Sequence, residues 1–178
     1  MSNCKWQNAK CKMQIENSKM EPPQFVCDAM LGGLARWLRA AGYDASWRPD
    51  IKDWDLVRQA IREKSVLLTS DTGIFRIGIV RDGEVPAVLI PTSLKVPEQL
   101  RFVLNKLKLD ILEPRCMACG GMLAEMAKEQ VRGKIPSRTY DWLDRFYQCQ
   151  RCRRIFWQGT HWQRIREQLD QLRQRSST

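Results

Sequence analysis

Apolar positions along the chain alternate between short runs and helix-period stripes. Phe25-Val26-Cys27 is a short apolar run that ends on a carboxylate, Asp28. Leu31, Leu34, Ala35, Leu38 and Ala41 then fall at the i, i+3, i+4, i+7 and i+10 spacing of one helix face. Gly42 stands as the helix stop. Residues 43–47 read as a second strand, closed by Pro49-Asp50. Asp53-Trp54-Asp55 opens an amphipathic helix bearing Leu56, Val57, Ala60 and Ile61, with acids in its first turn. Residues 65–69 are almost wholly apolar, the pattern of a strand covered on both faces, and end at Ser70-Asp71. A brief helix over 72–76 and a turn over 81–84 lead to another buried strand, 85–90, where Pro86 suits a sheet edge. Pro97 fits the first turn of a helix with Leu100, Val103, Leu104 and Leu107 on its apolar face. Strands alternating with helices predict an α/β fold: a mostly parallel sheet with helices on both faces.

From Pro114 the pattern changes. Cys116-Met117-Ala118-Cys119 is matched, after 29 intervening residues, by Cys149-Gln150-Arg151-Cys152. Four thiolates in two such knuckles hold zinc tetrahedrally and close a small module that lacks a core of its own. With no ligand position left open, the zinc is structural. A redox role for one CxxC is the competing idea, and the second pair weighs against it. Residues 122–147 read as a loop inserted between the knuckles. The chain closes on a basic helix with Trp162, Ile165, Leu169 and Leu172 on one face. His161, the one histidine, suits a surface or packing role. Three parts follow: a polar, disordered tail over 1–24, an α/β domain over 25–113, and a zinc ribbon with its helix over 114–178. Cys4 and Cys11 in the tail lack ligand spacing, and Met20 is an alternative start.

Charge sharpens this division. The net charge of +10 is uneven, because residues 20–114 hold 13 Lys/Arg against 13 Asp/Glu while residues 115–178 hold 13 against 6. A basic module beside a neutral one points to a polyanion, nucleic acid foremost. Around the second knuckle, Arg151, Arg153, Arg154, Trp157 and Trp162 mix cations with aromatics, a surface that pairs phosphate neutralisation with base stacking. The alternative is that these aromatics form the joint between ribbon and α/β domain while the arginines are simply solvated. No run reaches the ~18 apolar residues of a membrane helix, and no apolar signal core opens the chain, so a cytoplasmic protein is expected.

In a parallel α/β sheet the carboxyl ends of strands and the amino ends of the next helices share one edge. Asp28 and Asp71 end strands, Asp50 follows the second strand, and Asp53 opens a helix, so all four belong on one rim. Crowded carboxylates need cations, and hard oxygen ligands suit magnesium or manganese. Each acid also has a purely structural role open to it: a cap for Asp28 or Asp53, a turn for Asp50, an Asx-turn for Asp71. The single histidine lies at 161, which weighs against a Ser-His-Asp or Cys-His site in the first domain, and Cys27 reads as core.

The run Asp28-Ala29-Met30-Leu31-Gly32, with Leu34-Ala35-Arg36-Trp37-Leu38-Arg39 and Gly42-Tyr43-Asp44, resembles the opening of the Mut-seven C-terminal RNase domain family. Leu68-Thr69-Ser70-Asp71, Glu98-Gln99-Leu100, Arg115-Cys116-Met117-Ala118-Cys119, Ile135-Pro136 and Tyr147-Gln148-Cys149-Gln150-Arg151-Cys152 continue the likeness in order. Trp157-Gln158-Gly159-Thr160-His161-Trp162 completes it, so it spans roughly residues 25–172. The resemblance implies a PIN-like nuclease domain followed by a zinc ribbon, cutting RNA with magnesium or manganese held by Asp28, Asp53 and Asp71. Arg36 and Arg39, off the core-facing stripe of their helix, are then candidates for substrate phosphate. Where the family commonly reads Thr-Arg-Asp this chain has Thr69-Ser70-Asp71, which removes a cation beside the acids. A non-catalytic RNA-binding or ribosome-associated module is the second reading, and a toxin-like nuclease restrained by a partner the third.

Overall fold

The computed structural model describes residues 21–174. The tail reading for residues 1–20, with Cys4 and Cys11, and the reading of the His161 side chain fall outside what is described.

The first half of the chain follows its pattern, apart from a short helix over 78–81 that the pattern did not show. Strand β1 (Phe25–Cys27) passes through a 3₁₀ turn (Ala29–Leu31) into helix α1 (Gly32–Ala40). Strand β2 (Ala45–Trp47), helix α2 (Asp53–Glu63) and strand β3 (Val66–Thr69) follow. A second 3₁₀ turn (Ile74–Arg76), helix α3 (Gly78–Arg81), strand β4 (Ala87–Leu89) and helix α4 (Val96–Leu107) complete it. All neighbouring strands pair parallel, in the order β2-β1-β3-β4. Pro86 is harmless because β4 lies at the edge, and its carbonyl still accepts the Leu67 N–H at 2.9 Å.

Alternation along the strands divides the core. Phe25, Cys27 and Leu68 face a layer built by Leu34 and Leu38 of α1 and Leu100, Val103 and Leu104 of α4. Val26 and Leu67 face Leu56, Val57 and Ala60 of α2, with Ile74, Val80 and Val85. Gly42 ends α1 with φ +96°, where a Cβ would lie 2.6 Å from the Glu113 carbonyl oxygen, so no other residue fits.

The second half forms a three-stranded antiparallel sheet, β5-β6-β7 (Leu123–Met126, Phe146–Cys149 and Ile155–Trp157). The inserted loop expected over 122–147 is therefore largely ordered structure. It contains β5 and two short helices, α5 (Lys128–Val131) and α6 (Ser137–Trp142). β5 escaped the pattern because three of its residues are only partly covered, Glu125 is exposed, and its pairing with β6 places Leu123 opposite Cys149 of the knuckle. Helix α7 (Thr160–Gln174) then returns to the first sheet, where Ile165 and Leu169 join the buried layer of Leu34, Leu38 and Leu100. The helix that follows the ribbon in sequence thus completes the α/β core in space. Among the described residues no helix is long and apolar enough to cross a membrane.

Candidate active site and metal centre

The strand order reverses between β1 and β3, since β2 lies outside one and β4 outside the other. In an open parallel sheet this switch point leaves a crevice at the carboxyl ends of the two strands. Asp28 follows β1 there and is 8% exposed. Its Oδ1 accepts the Ala29 N–H at 2.6 Å, and its Oδ2 accepts the Thr69 hydroxyl at 2.7 Å. Thr69, fully buried at the end of β3, also accepts the Asp71 N–H at 2.9 Å through the same hydroxyl oxygen. One hydroxyl thus ties the first acid to the backbone that carries the second. Asp71 itself is exposed, and its Oδ1 accepts the Gly73 N–H at 2.7 Å.

Both structural roles weighed for these acids are therefore realised: Asp28 caps the 3₁₀ turn and Asp71 makes an Asx-turn. The Thr69 link is extra to both. It went unseen in sequence, although Thr69 stands two residues before Asp71 at a strand end, where a buried hydroxyl needs a partner. Asp50 and Asp53 are exposed, Asp50 in the β2–α2 loop and Asp53 as the first residue of α2. Lys52 is the cap of that helix and makes no side-chain cap bond, so Asp53 is not its N-cap. Among the described residues, the one group of three or more Cys, His, Asp or Glu side chains gathered closely enough to hold a metal is the four cysteines.

That group is compact. The sulfur atoms of Cys116, Cys119, Cys149 and Cys152 all lie within 4.8 Å of one another. Cys116 Sγ is 3.6 Å from Cys152 Sγ, and Cys119 Sγ is 3.5 Å from Cys149 Sγ. Four thiolates about 2.3 Å from a tetrahedral zinc stand about 3.8 Å apart, so the cluster fits that ion. None of the four is in a disulfide. Burial opposes the charge on Cys149, yet the N–H groups of Cys152 and Arg151 and the neighbouring thiols bring its thiol down to about 6. Burial pushes the Cys116 thiol up to about 12.

The knuckle is fastened to the first sheet by a polar joint. Arg39 was expected off the core-facing side of α1, but it is 5% exposed. The first knuckle covers it: its Nε donates to the Ala45 carbonyl at 2.7 Å, and its Nη1 to the Met117 and Ala118 carbonyls at 3.0 Å. It is thus a strut rather than a surface cation. Arg151 bridges as well, donating to the Cys119 carbonyl and to Asp44 Oδ2, each at 2.7 Å. Arg115 reaches the Gly42 and Gly120 carbonyls at 3.2 and 3.0 Å and lies 3.5 Å from Asp44 Oδ2. Asp44 thus receives two guanidinium groups from the knuckle side. Gly120, with φ +80°, lets its backbone pass against Asp44, because a Cβ there would collide with that carboxylate.

Of the remaining cations and aromatics singled out in sequence, Arg36, Arg153, Arg154 and Trp157 are exposed. Trp162 is half-buried and packs against the first core layer, so it belongs to the joint rather than to an open surface.

A family model described as the Mut7-C RNAse domain matches residues 23–169. No curated protein and no solved structure matches the chain.

Proposed function

The chain belongs to the Mut7-C RNAse domain family, and from that membership we propose that it is a divalent-metal-dependent ribonuclease with a PIN-like catalytic domain. Its centre is the Asp28–Thr69–Asp71 unit, with Asp53 as the third acid of the rim. The observation that carries the reading is the Thr69 hydroxyl shared between Asp28 and the Asp71 backbone at the sheet's switch point.

Two carboxylates suffice as protein ligands for magnesium or manganese, which usually keep waters and take substrate phosphate as further ligands. Such an ion supplies a water of lowered pKa and neutralises charge on a phosphodiester oxygen. The chain's own part is to hold the acids still. The Thr69 hydroxyl and the Ala29 N–H each fix one oxygen of Asp28, and each oxygen keeps a further lone pair for a cation. Arg36, exposed on α1, meets substrate phosphate. The four cysteines hold a structural zinc, and Arg153, Arg154 and Trp157 of the ribbon extend the contact to RNA.

The second reading, a non-catalytic RNA-binding module, draws on the four cysteines being the one closed ligand group among the described residues. Cleavage of mixed RNA by zinc-loaded protein with magnesium or manganese separates the two. The wild type is expected to cut, with Asp28→Asn slower by about 10-fold or more, since a ligand matters at least as much as the outer partners whose loss costs about 10- to 100-fold. Wild-type cleavage no faster than Asp28→Asn with either metal, while RNA is still bound, selects the non-catalytic module.

A further inference from the structure

Among the described tryptophans, two stand exposed on the segment that joins β2 to α2. Trp47 is the last residue of β2 and is 37% exposed, and Trp54, in the first turn of α2, is 60% exposed. A tryptophan so far out of a core is informative, since large apolar side chains that face water in a group mark a binding surface. Both lie at the carboxyl edge of the parallel sheet, the edge that carries Asp28 and Asp71. Trp47 is also fixed in place: its Nε1 donates to the Ala29 carbonyl at 2.8 Å, one residue from Asp28, and its ring lies against Gly32. A Cβ on Gly32 would come within 2.7 Å of that ring.

In sequence between the two tryptophans, Arg48 and Lys52 are exposed cations, and Met30, two residues after Asp28, is 67% exposed. Aromatic faces interleaved with cations hold single-stranded nucleic acid by stacking bases and neutralising phosphates. Bases within a duplex offer no free faces, so the pattern selects single strands. Asp50 and Asp53 share the segment and balance Arg48 and Lys52, so it attracts RNA through its ring faces more than through net charge.

We propose that the segment from Trp47 to Trp54 is the single-stranded RNA lip of the catalytic rim, with Trp54 and Trp47 stacking on bases beside the scissile phosphate. The proposal rests on the ribonuclease reading and names its substrate class: unpaired RNA rather than duplex. It gives the indoles a role that neither core packing nor the ribbon supplies.

Binding is measured by fluorescence anisotropy on the zinc-loaded full chain with magnesium, using a phosphorothioate 2′-O-methyl single strand that resists cutting. The same strand carrying abasic positions, and the corresponding duplex, serve as comparisons. Trp54→Ala is expected to weaken single-strand binding about 5- to 150-fold, the equivalent of one lost stacking contact. Trp54→Phe keeps most of the affinity, and the abasic strand binds wild type and Trp54→Ala alike. Trp54→Ala binding the intact strand as well as wild type overturns the proposal, as does an equal loss on the intact and abasic strands. Wild type binding the duplex as tightly as the single strand overturns it too, and so does an absence of RNA binding, which leaves the patch to a protein partner. Because the readout is binding, the two failures are told apart: lost cleavage with tryptophan-dependent single-strand binding intact counts against the ribonuclease reading, and binding that does not depend on Trp54 counts against the lip.

Discussion

At the scale of single residues, Thr69 carries the most consequence for its size. Its hydroxyl donates to Asp28 Oδ2 and accepts from the Asp71 N–H, so one side chain ties the first acid to the backbone that carries the second. Thr69→Val keeps the shape and removes both bonds, leaving a buried carboxylate oxygen and an amide without their partner. Cleavage by Thr69→Val is expected to fall about 10- to 100-fold, as for loss of an outer partner of a metal ligand, while Thr69→Ser stays near wild type. Equal rates for the valine and serine variants would show that the hydroxyl does not position the acids. Arg39 teaches the complementary lesson. Its place on the helix stripe suggested solvent, and only the fold reveals that the Met117 and Ala118 carbonyls arrive to cover it. Arg39→Ala is expected to cost about 2–5 kcal/mol in denaturant unfolding, because buried carbonyls lose their donor.

At the scale of elements, the knuckle and its joint act together. Cys116 and Cys119 belong to the four-sulfur cluster, and the chain between them presents the carbonyls that Arg39 grips, so zinc held there would fix both at once. Elemental analysis is expected to give about one zinc per chain, with Cys116→Ser or Cys149→Ser retaining far less. Asp44→Ala removes the acceptor shared by Arg115 and Arg151. The Arg151 side chain is 55% exposed, so solvent screens that pair and the expected loss is about 1–3 kcal/mol. Faster hydrogen exchange at residues 115–120 in Asp44→Ala, with β1 and β3 unchanged, would mark the effect as local to the joint. Elements differ in how well their residues announced them. β1 and β3 are legible because strands covered on both faces are apolar throughout, and α1, α2 and α4 because each buries one stripe. β5 was hidden because Leu123–Met126 is at most partly covered and its pairing with β6 places Leu123 opposite Cys149. Asp44, placed at the start of β2 by sequence, gains its role from arginines more than 70 residues further on.

At the scale of the whole molecule, the charge division and the fold interlock. The acids lie in the electrically balanced half and the excess cations in residues 115–178, yet α7 from the basic half seals the core of the first sheet. Paired replacement of Arg153 and Arg154 by Gln is expected to flatten the logarithmic salt dependence of single-strand RNA binding by about 1.4, two phosphate contacts' worth. An unchanged slope would assign those arginines to solvation alone. The carboxyl-edge placement of Asp28 and Asp71 followed from topology read in sequence, whereas the bond that couples them could be seen only in three dimensions.

The most direct test of the central claim is manganese binding at the rim, read as loss of the free-ion signal in electron paramagnetic resonance. It is made on zinc-loaded wild type and Asp28→Asn at matched zinc content, so the knuckle is constant. Wild type is expected to bind manganese, with Asp28→Asn weaker by about 10-fold or more. Identical manganese binding by the two proteins would contradict the assignment of Asp28 as a metal ligand.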